Sequence, residues 1–257
     1  MATIELPGID VSKWNGVINW SQVVSSGVKF AMIRAATGSR SGNINIDPKL
    51  IANVNGAHSA GIAVGLYLYS YAYTINAAQK EAENLIKAIG SIKDKITWPI
   101  AYDLEEPGQA TYNRKSTNTE QARVFCDTIR KAGFIPILYS NPNWLYNYID
   151  VKAIDVDIWL AHYTYVPGKT MYKGDKTIHQ YSNKGSIPGI KGDVDLNMAF
   201  KDYSAATVPD YEAAINKLYS KGQINSPAYW IQVCEGKTKP SPNNIQSLFI
   251  KWANSIK

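Results

Sequence analysis

Between Gly8 and about Tyr203, short runs of β-branched and aromatic residues alternate with stretches whose apolar positions recur every three or four residues. That rhythm predicts strands followed by amphipathic helices. Strands are expected at residues 8–11, 30–36, 63–70, 99–104, 135–139, 158–162 and 178–181. Asp47-Pro48 caps and opens a helix that stops near Gly61, and residues 76–90 form another with Ala78, Ala82, Leu85, Ile86 and Ile89 on one face. Thr117-x-x-Glu120 reads as a capping box opening a helix that runs to Gly133. Strands apolar on both faces, each followed by a helix, bury themselves by curling into a barrel or by stacking as a doubly wound sheet. In both arrangements the carboxyl ends of the strands carry the chemistry.

After Phe200 the texture changes. Residues 205–210, small and containing a proline, read as a linker, and three short helices follow at 211–220, 228–234 and 243–256, opened by Asp210, Ser226-Pro227 and Ser241-Pro242. The expected organisation is an α/β domain over residues 1–204, the linker 205–210 and a small all-α domain over 211–257.

Composition narrows the function classes. With 45% hydrophobic and 19% charged residues in 257, the chain is neither disordered nor fibrous. Tyrosine (17) and tryptophan (7) outnumber phenylalanine (5), a bias toward rings with a polar tip that suits sugar binding. The net charge of +6 is spread without a basic run, which argues against nucleic acid, and no apolar run approaches membrane-spanning length, so no membrane insertion is expected. The first residues lack the basic and apolar regions of an ordinary signal peptide. Cys126 and Cys234 form no readable disulfide framework, and His58, His162 and His179 show no ligand spacing, so neither a metal nor a cofactor is expected.

The densest chemical signal is Trp98-Pro-Ile-Ala-Tyr-Asp103-Leu-Glu105-Glu106. Side chains alternate along a strand, so Asp103 and Glu105 emerge on one side at its carboxyl end, with Tyr102 pointing the other way into the core. Mutual repulsion raises one of their pKa values, as a general acid requires. By itself such a pair is more often a solvated strand end. Asp10 at the end of the first strand and Asp195 after the last add two more acids. In a closed barrel those strands are neighbours, which would bring four carboxyls to one mouth. A divalent-cation site is the competing reading.

The order Gly8-Ile-Asp10-Val-Ser-Lys-Trp14, Asp103-Leu-Glu105, Trp159-Leu-Ala-His-Tyr163 and the closing stretch from His179-Gln180-Tyr-Ser to Val-Asp195-Leu-Asn197 resembles the family 25 glycoside hydrolases, the Chalaropsis-type lysozymes. The resemblance covers residues 8–200. It implies an irregular TIM-like (β/α) barrel and cleavage of the β-1,4 bond between N-acetylmuramic acid and N-acetylglucosamine in bacterial peptidoglycan, in the manner of a phage endolysin. It assigns Glu105 as general acid, Asp103 as the acid supporting the reacting centre, and Asp10 and Asp195 as the other acids of the cleft. The nucleophile is then the substrate's own acetamido group or a carboxylate. Tyr67 and Tyr69 fit an aromatic lining, and Tyr139, Trp159 and Gln180, at strand ends, a sugar-binding rim. Asp47 reads as a helix cap, Glu106 as a surface acid, and Arg34 and Lys13 as either solvated or facing a substrate carboxylate. The C-terminal helices would bind a wall polymer or self-associate into a homo-oligomer. Release from the cytoplasm would follow a holin-type route. A non-catalytic glycan-binding barrel is the alternative.

Overall fold

The computed structural model describes residues 4–204, 215, 218–234, 238–241 and 244. The chain divides into two compact units, Met1–Tyr203 and Ser204–Lys257.

The first unit contains, in chain order, β1 (Leu6–Val11), α1 (Trp20–Ser25), β2 (Phe30–Thr37), β3 (Asn45–Ile46), α2 (Leu50–Ser59), β4 (Ala63–Tyr69), α3 (Ile75–Ala88), β5 (Ile100–Asp103), α4 (Pro107–Tyr112), α5 (Lys115–Lys131), β6 (Pro136–Ser140), α6 (Pro142–Asn147), β7 (Asp157–Ala161), β8 (Ile178–Gly185) and β9 (Val194–Ala199). The sheet order is β1-β9-β8-β7-β6-β5-β4-β2, and β1 also pairs with β2, so eight strands close a barrel. Seven neighbouring strands run parallel from β1 through β2 and β4 to β8. The exception is β9, antiparallel to both β1 and β8. This is the expected α/β barrel, made irregular by one reversed strand.

Besides short elements the sequence reading did not foresee, α1, β3, α4 and α6, two stretches differ notably from the sequence expectation. Residues 194–199, expected only to follow the last strand, form a strand of their own, because the chain turns back after β8, which supplies the antiparallel partner. Helix α5 starts at Lys115, two residues before Thr117, and Arg114 caps it without a side-chain bond, so Thr117 and Glu120 lie inside the helix and form no capping box. Glu120 instead pairs with Arg123, three residues on.

Side-chain alternation separates two cores. Outward positions such as Ile9, Ile33, Leu66, Tyr102 and Leu138 pack under the helices, and Tyr102 stacks on Phe125 of α5 at 4.3 Å. Inward positions Phe30, Met32, Ala101, Ile137, Tyr139, Trp159, Ile178 and Ala199 fill the barrel. Its amino-terminal end is plugged by Phe30 stacked on Trp98 at 4.2 Å, with Tyr203 against Trp98 at 5.4 Å. Gly8 on β1 makes this plug possible, since a Cβ there would fall 2.2 Å from the Phe30 ring. With the far end sealed by apolar rings, polar interior groups are confined to the carboxyl half of the barrel.

In the second unit, α7 (Pro227–Cys234) begins at the predicted Ser226-Pro227, with Ser226 Oγ accepting from Tyr229 N at 3.4 Å. The linker 205–210 and most of the helices expected at 211–220 and 243–256 lie outside the described residues.

Candidate active site

Strand register determines which side chains face the interior. Asp103 is level with Tyr69 on β4 and Tyr139 on β6, and Tyr139 is level with Trp159 on β7. Across the antiparallel pair, Asp10 of β1 lies opposite Asp195 of β9, and directly opposed residues hold their side chains on one face about 5 Å apart at Cβ. The reversed strand therefore brings Asp195 beside Asp10. Asp10 and Asp103 are buried, whereas Glu105 and Asp195 are half-buried.

A hydrogen-bonded scaffold fixes Asp10. Its Oδ2 accepts from Gln180 Nε2 and Asn197 Nδ2, both at 2.8 Å. Those amides are oriented in turn: Tyr139 OH donates to Gln180 Oε1 and Trp159 Nε1 to Asn197 Oδ1, each at 2.8 Å. Both donors are buried, and so are both amides. Buried polar groups are stable only when paired, and in this chain of bonds each tip is used. Asp103 contrasts with this: its Oδ1 is buried and has no hydrogen-bond partner.

Crowding of carboxyls in a poorly solvated mouth holds all four acids above their ordinary range. Burial raises Asp10 most, followed by the charge of Asp195, while the Asn197 and Gln180 donors pull it down. Asp103 is raised by burial, then by Glu105 and Asp10, and Arg34 opposes them. Glu105 is raised by burial, then by Asp195 and Glu106. Asp195 is raised by burial and lowered by a bond from Asp10. Crowding thus raises the proton affinity of the cluster as a whole above that of isolated acids.

The aromatic positions separate into two layers. Tyr67 and Tyr69 face inward, and both phenols are held above their usual range by burial and by the acids, Asp10 first for Tyr67 and Asp103 first for Tyr69. Tyr139, Trp159 and Gln180 lie below the rim: Trp159 is 1% and Gln180 2% exposed. Their polar tips are spent on the Asp10 scaffold, so they prop an acid rather than offer a surface to a sugar. Asp47 is not the cap expected of it, since α2 starts at Leu50 with Lys49 at its N-cap and no side-chain cap bond; instead it accepts from Lys49 N at 2.9 Å in the turn before the helix, pairs with Arg34 at 2.8 Å and accepts from Lys13 N at 3.0 Å. Arg34 is thereby held near Tyr67 and Asp103. Glu106 caps α4 through Gly108 N and accepts from Tyr69 OH at 3.2 Å, so it is part of the mouth's wall.

Two residues that sequence reasoning did not single out stand beside these. Asn197 is a partner of Asp10, and its place two residues beyond Asp195 on an alternating strand was the available signal. Tyr163, 43% exposed, lies close enough to Asp195, Asp10 and Glu105 for them to raise its phenol, and it bonds to Tyr139. Among the described residues no group of three His, Cys, Asp or Glu side chains has metal-binding geometry.

Residues 9–190 match the model of the family described as Glycosyl hydrolases family 25. The chain belongs to glycosyl hydrolase family 25. It is 30% identical over 211 residues to lysozyme M1 of Streptomyces globisporus, covering 76% of this chain and 68% of that protein. It is also 30% identical over 149 residues to the N,O-diacetylmuramidase of a Chalaropsis species, covering 53% of this chain and 66% of that one. Among solved structures, the modular autolysin LytC of Streptococcus pneumoniae, in complex with a synthetic peptidoglycan ligand, superposes with a TM-score of 0.64 at 27% identity over 76% of this chain and 46% of that chain. This chain thus spans about half of LytC.

Proposed function

We propose that this chain is a lysozyme that hydrolyses the β-1,4 bond between N-acetylmuramic acid and N-acetylglucosamine in bacterial peptidoglycan. The lysozyme and muramidase relatives and the peptidoglycan complex of LytC support that substrate class. The observation that carries the mechanism is the contrast between two neighbouring acids. Glu105 is half-buried with its carboxyl held above the ordinary range by burial and by Asp195, and Asp103 keeps a buried oxygen without a protein partner. Glu105 protonates the departing glycosidic oxygen. Asp103 Oδ1 accepts the N–H of the substrate's acetamido group, which turns the acetamido carbonyl oxygen toward the anomeric carbon to displace the leaving sugar. Water, deprotonated by Glu105, then opens the resulting oxazolinium ion. Asp10 and Asp195 hold negative charge beside the developing cation, and the amide scaffold keeps Asp10 in place while that charge changes.

Mass spectrometry of digested peptidoglycan tests the bond assignment: reducing-end muramic acid is expected, and reducing-end glucosamine or free peptide would refute it. Glu105→Gln is expected to lower kcat by about 10³-fold, within the range general acid–base groups supply, with wall binding and melting temperature unchanged. A variant with near-normal turnover would remove Glu105 from its role.

A further inference from the structure

A second structured patch lies at the same end of the barrel, on the loops that follow three adjacent strands. Strand β4 pairs with both β2 and β5. The turn after β2 (38–42), the segment after β4 (70–74) and α4 after β5 therefore meet along one side of the mouth. Tyr69 packs on Tyr71 at 5.1 Å and donates to Glu106, which caps α4. Tyr73 reaches the same helix: a Cβ on Gly108 would fall 1.9 Å from its hydroxyl, so glycine at 108 admits the ring. Tyr112, at the end of α4, lies 5.7 Å from Tyr73 yet is 73% exposed. The Arg40 guanidinium sits over the Tyr73 ring at 4.5 Å, and its Nη2 donates to the Tyr73 hydroxyl at 3.3 Å.

This patch is held from beneath. Glu81 on α3 is fully buried, accepts from Ser39 N at 3.2 Å and Tyr71 N at 3.4 Å, and bonds to Ser70 Oγ at 2.7 Å. One buried carboxyl thereby ties the turn bearing Arg40 to the segment bearing Tyr71 and Tyr73. Among the described residues Arg40 makes no ion pair with an acid, in contrast to Arg34, Arg123 and Arg130. An exposed guanidinium whose face rests on a ring has its planar N–H fork ready for a carboxylate.

We propose that this rim is a subsite for the peptide stem of peptidoglycan, with Arg40 binding a stem carboxylate and Tyr73 and Tyr112 backing it. The proposal rests on the peptidoglycan reading above. In peptide-bearing strands the lactyl carboxyl of muramic acid is tied up as an amide and the sugars are uncharged, so the carboxylates beside the glycan are those of the peptide.

The test compares the full chain and its Arg40→Ala and Arg40→Lys variants on soluble peptidoglycan fragments, before and after enzymatic removal of their peptides. Arg40→Ala is expected to raise KM about tenfold on peptide-bearing fragments, as loss of a hydrogen bond to a charged group does. Its kcat should hold, as should both constants on stripped glycan. Arg40→Lys should recover part of the loss, and added salt should narrow the gap between wild type and Arg40→Ala. An equal change on both substrates would mean a contact to the glycan or to the lactyl carboxylate that peptide removal frees, or a folding defect, and would overturn the proposal, as would no change on either. If the wild type cleaves neither substrate, the lysozyme reading fails. Calorimetric binding of the peptide-bearing fragment then decides for Arg40, with equal affinities for wild type and Arg40→Ala overturning the subsite.

Discussion

Glu81→Gln isolates the energetic consequence of building that rim on a buried acid. The carboxyl of Glu81 is moved from an ordinary 4.5 to about 8, mainly by burial, against the opposing pull of its Ser70, Tyr71 and Ser39 donors. Below pH 4.5 it is protonated in both the folded and the unfolded chain and contributes nothing to the pH dependence. Between 4.5 and about 8 the unfolded chain releases the proton while the folded chain keeps it, so stability falls as pH rises through this window and levels off above it. At about 1.4 kcal/mol for each decade of proton affinity, the full span amounts to about 5 kcal/mol. Glutamine imitates the protonated acid: its oxygen accepts from Ser39 and Tyr71 while its amide donates to Ser70 Oγ.

The assay is chemical denaturation of wild type and Glu81→Gln at steps from about pH 4 to about pH 9. The four acids of the mouth are also raised and also make stability fall with pH, but they are common to both proteins and cancel in the difference. The stability of the variant minus that of the wild type should be flat at low pH, climb by up to about 5 kcal/mol through the window, and flatten again above it. A packing difference displaces the whole curve without altering its slope. A difference that stays level from about pH 5 to about pH 8, or one that falls, would refute the idea that Glu81 is held neutral in the fold.

Asn197→Ala removes one of the two donors that lower the Asp10 pKa and frees Trp159 Nε1 from its acceptor. The expected result is a rise of the acid limb of the kcat/KM profile, with activity at neutral pH reduced about tenfold or more; an unchanged profile would exclude Asp10 ionisation from the rate. Gly8→Ala drives a methyl into the Phe30 ring and should destabilise the barrel by about 1–3 kcal/mol, the usual penalty for overpacking. Because the plug lies at the opposite end from the acids, KM at a temperature well below the melting point should not move, and a melting temperature equal to that of the wild type would contradict the plug.

How much of this was legible in the sequence depended on whether the signal was periodic or relational. Alternation along residues 99–105 was sufficient to place Asp103 inward and Tyr102 outward, and the spacing of β-branched runs located the parallel strands. Strand β9 escaped because its alternating run, Val194-Asp195-Leu196-Asn197, is short and polar at every second position; an antiparallel return needs only a short connection and no helix to announce it. The interior roles of Trp159 and Gln180 were hidden for a different reason. A residue at a strand end can line a rim or prop an acid, and only its partner, here Asn197 or Asp10, distinguishes the two. Glu81 was a local signal that went unread. It falls between Ala78, Ala82 and Leu85 on the buried stripe of α3, where an acid is out of pattern and calls for a partner within the fold.

The same logic links the two acid sites of the barrel. Both place a carboxyl where water is scarce, but they differ in what the neighbours supply. Glu81 has partners in Ser39, Ser70 and Tyr71, so its oxygens are satisfied and it fastens two loops. Asp103 has a buried oxygen that nothing in the protein meets. A satisfied buried acid stabilises a shape, whereas an unsatisfied one remains costly until another molecule brings the missing hydrogen. That difference, rather than the raised pKa values the two share, separates a structural carboxyl from one that awaits a substrate. It also sets the rim, whose two loops Glu81 ties together, apart from the mouth beside it, which is left chemically incomplete.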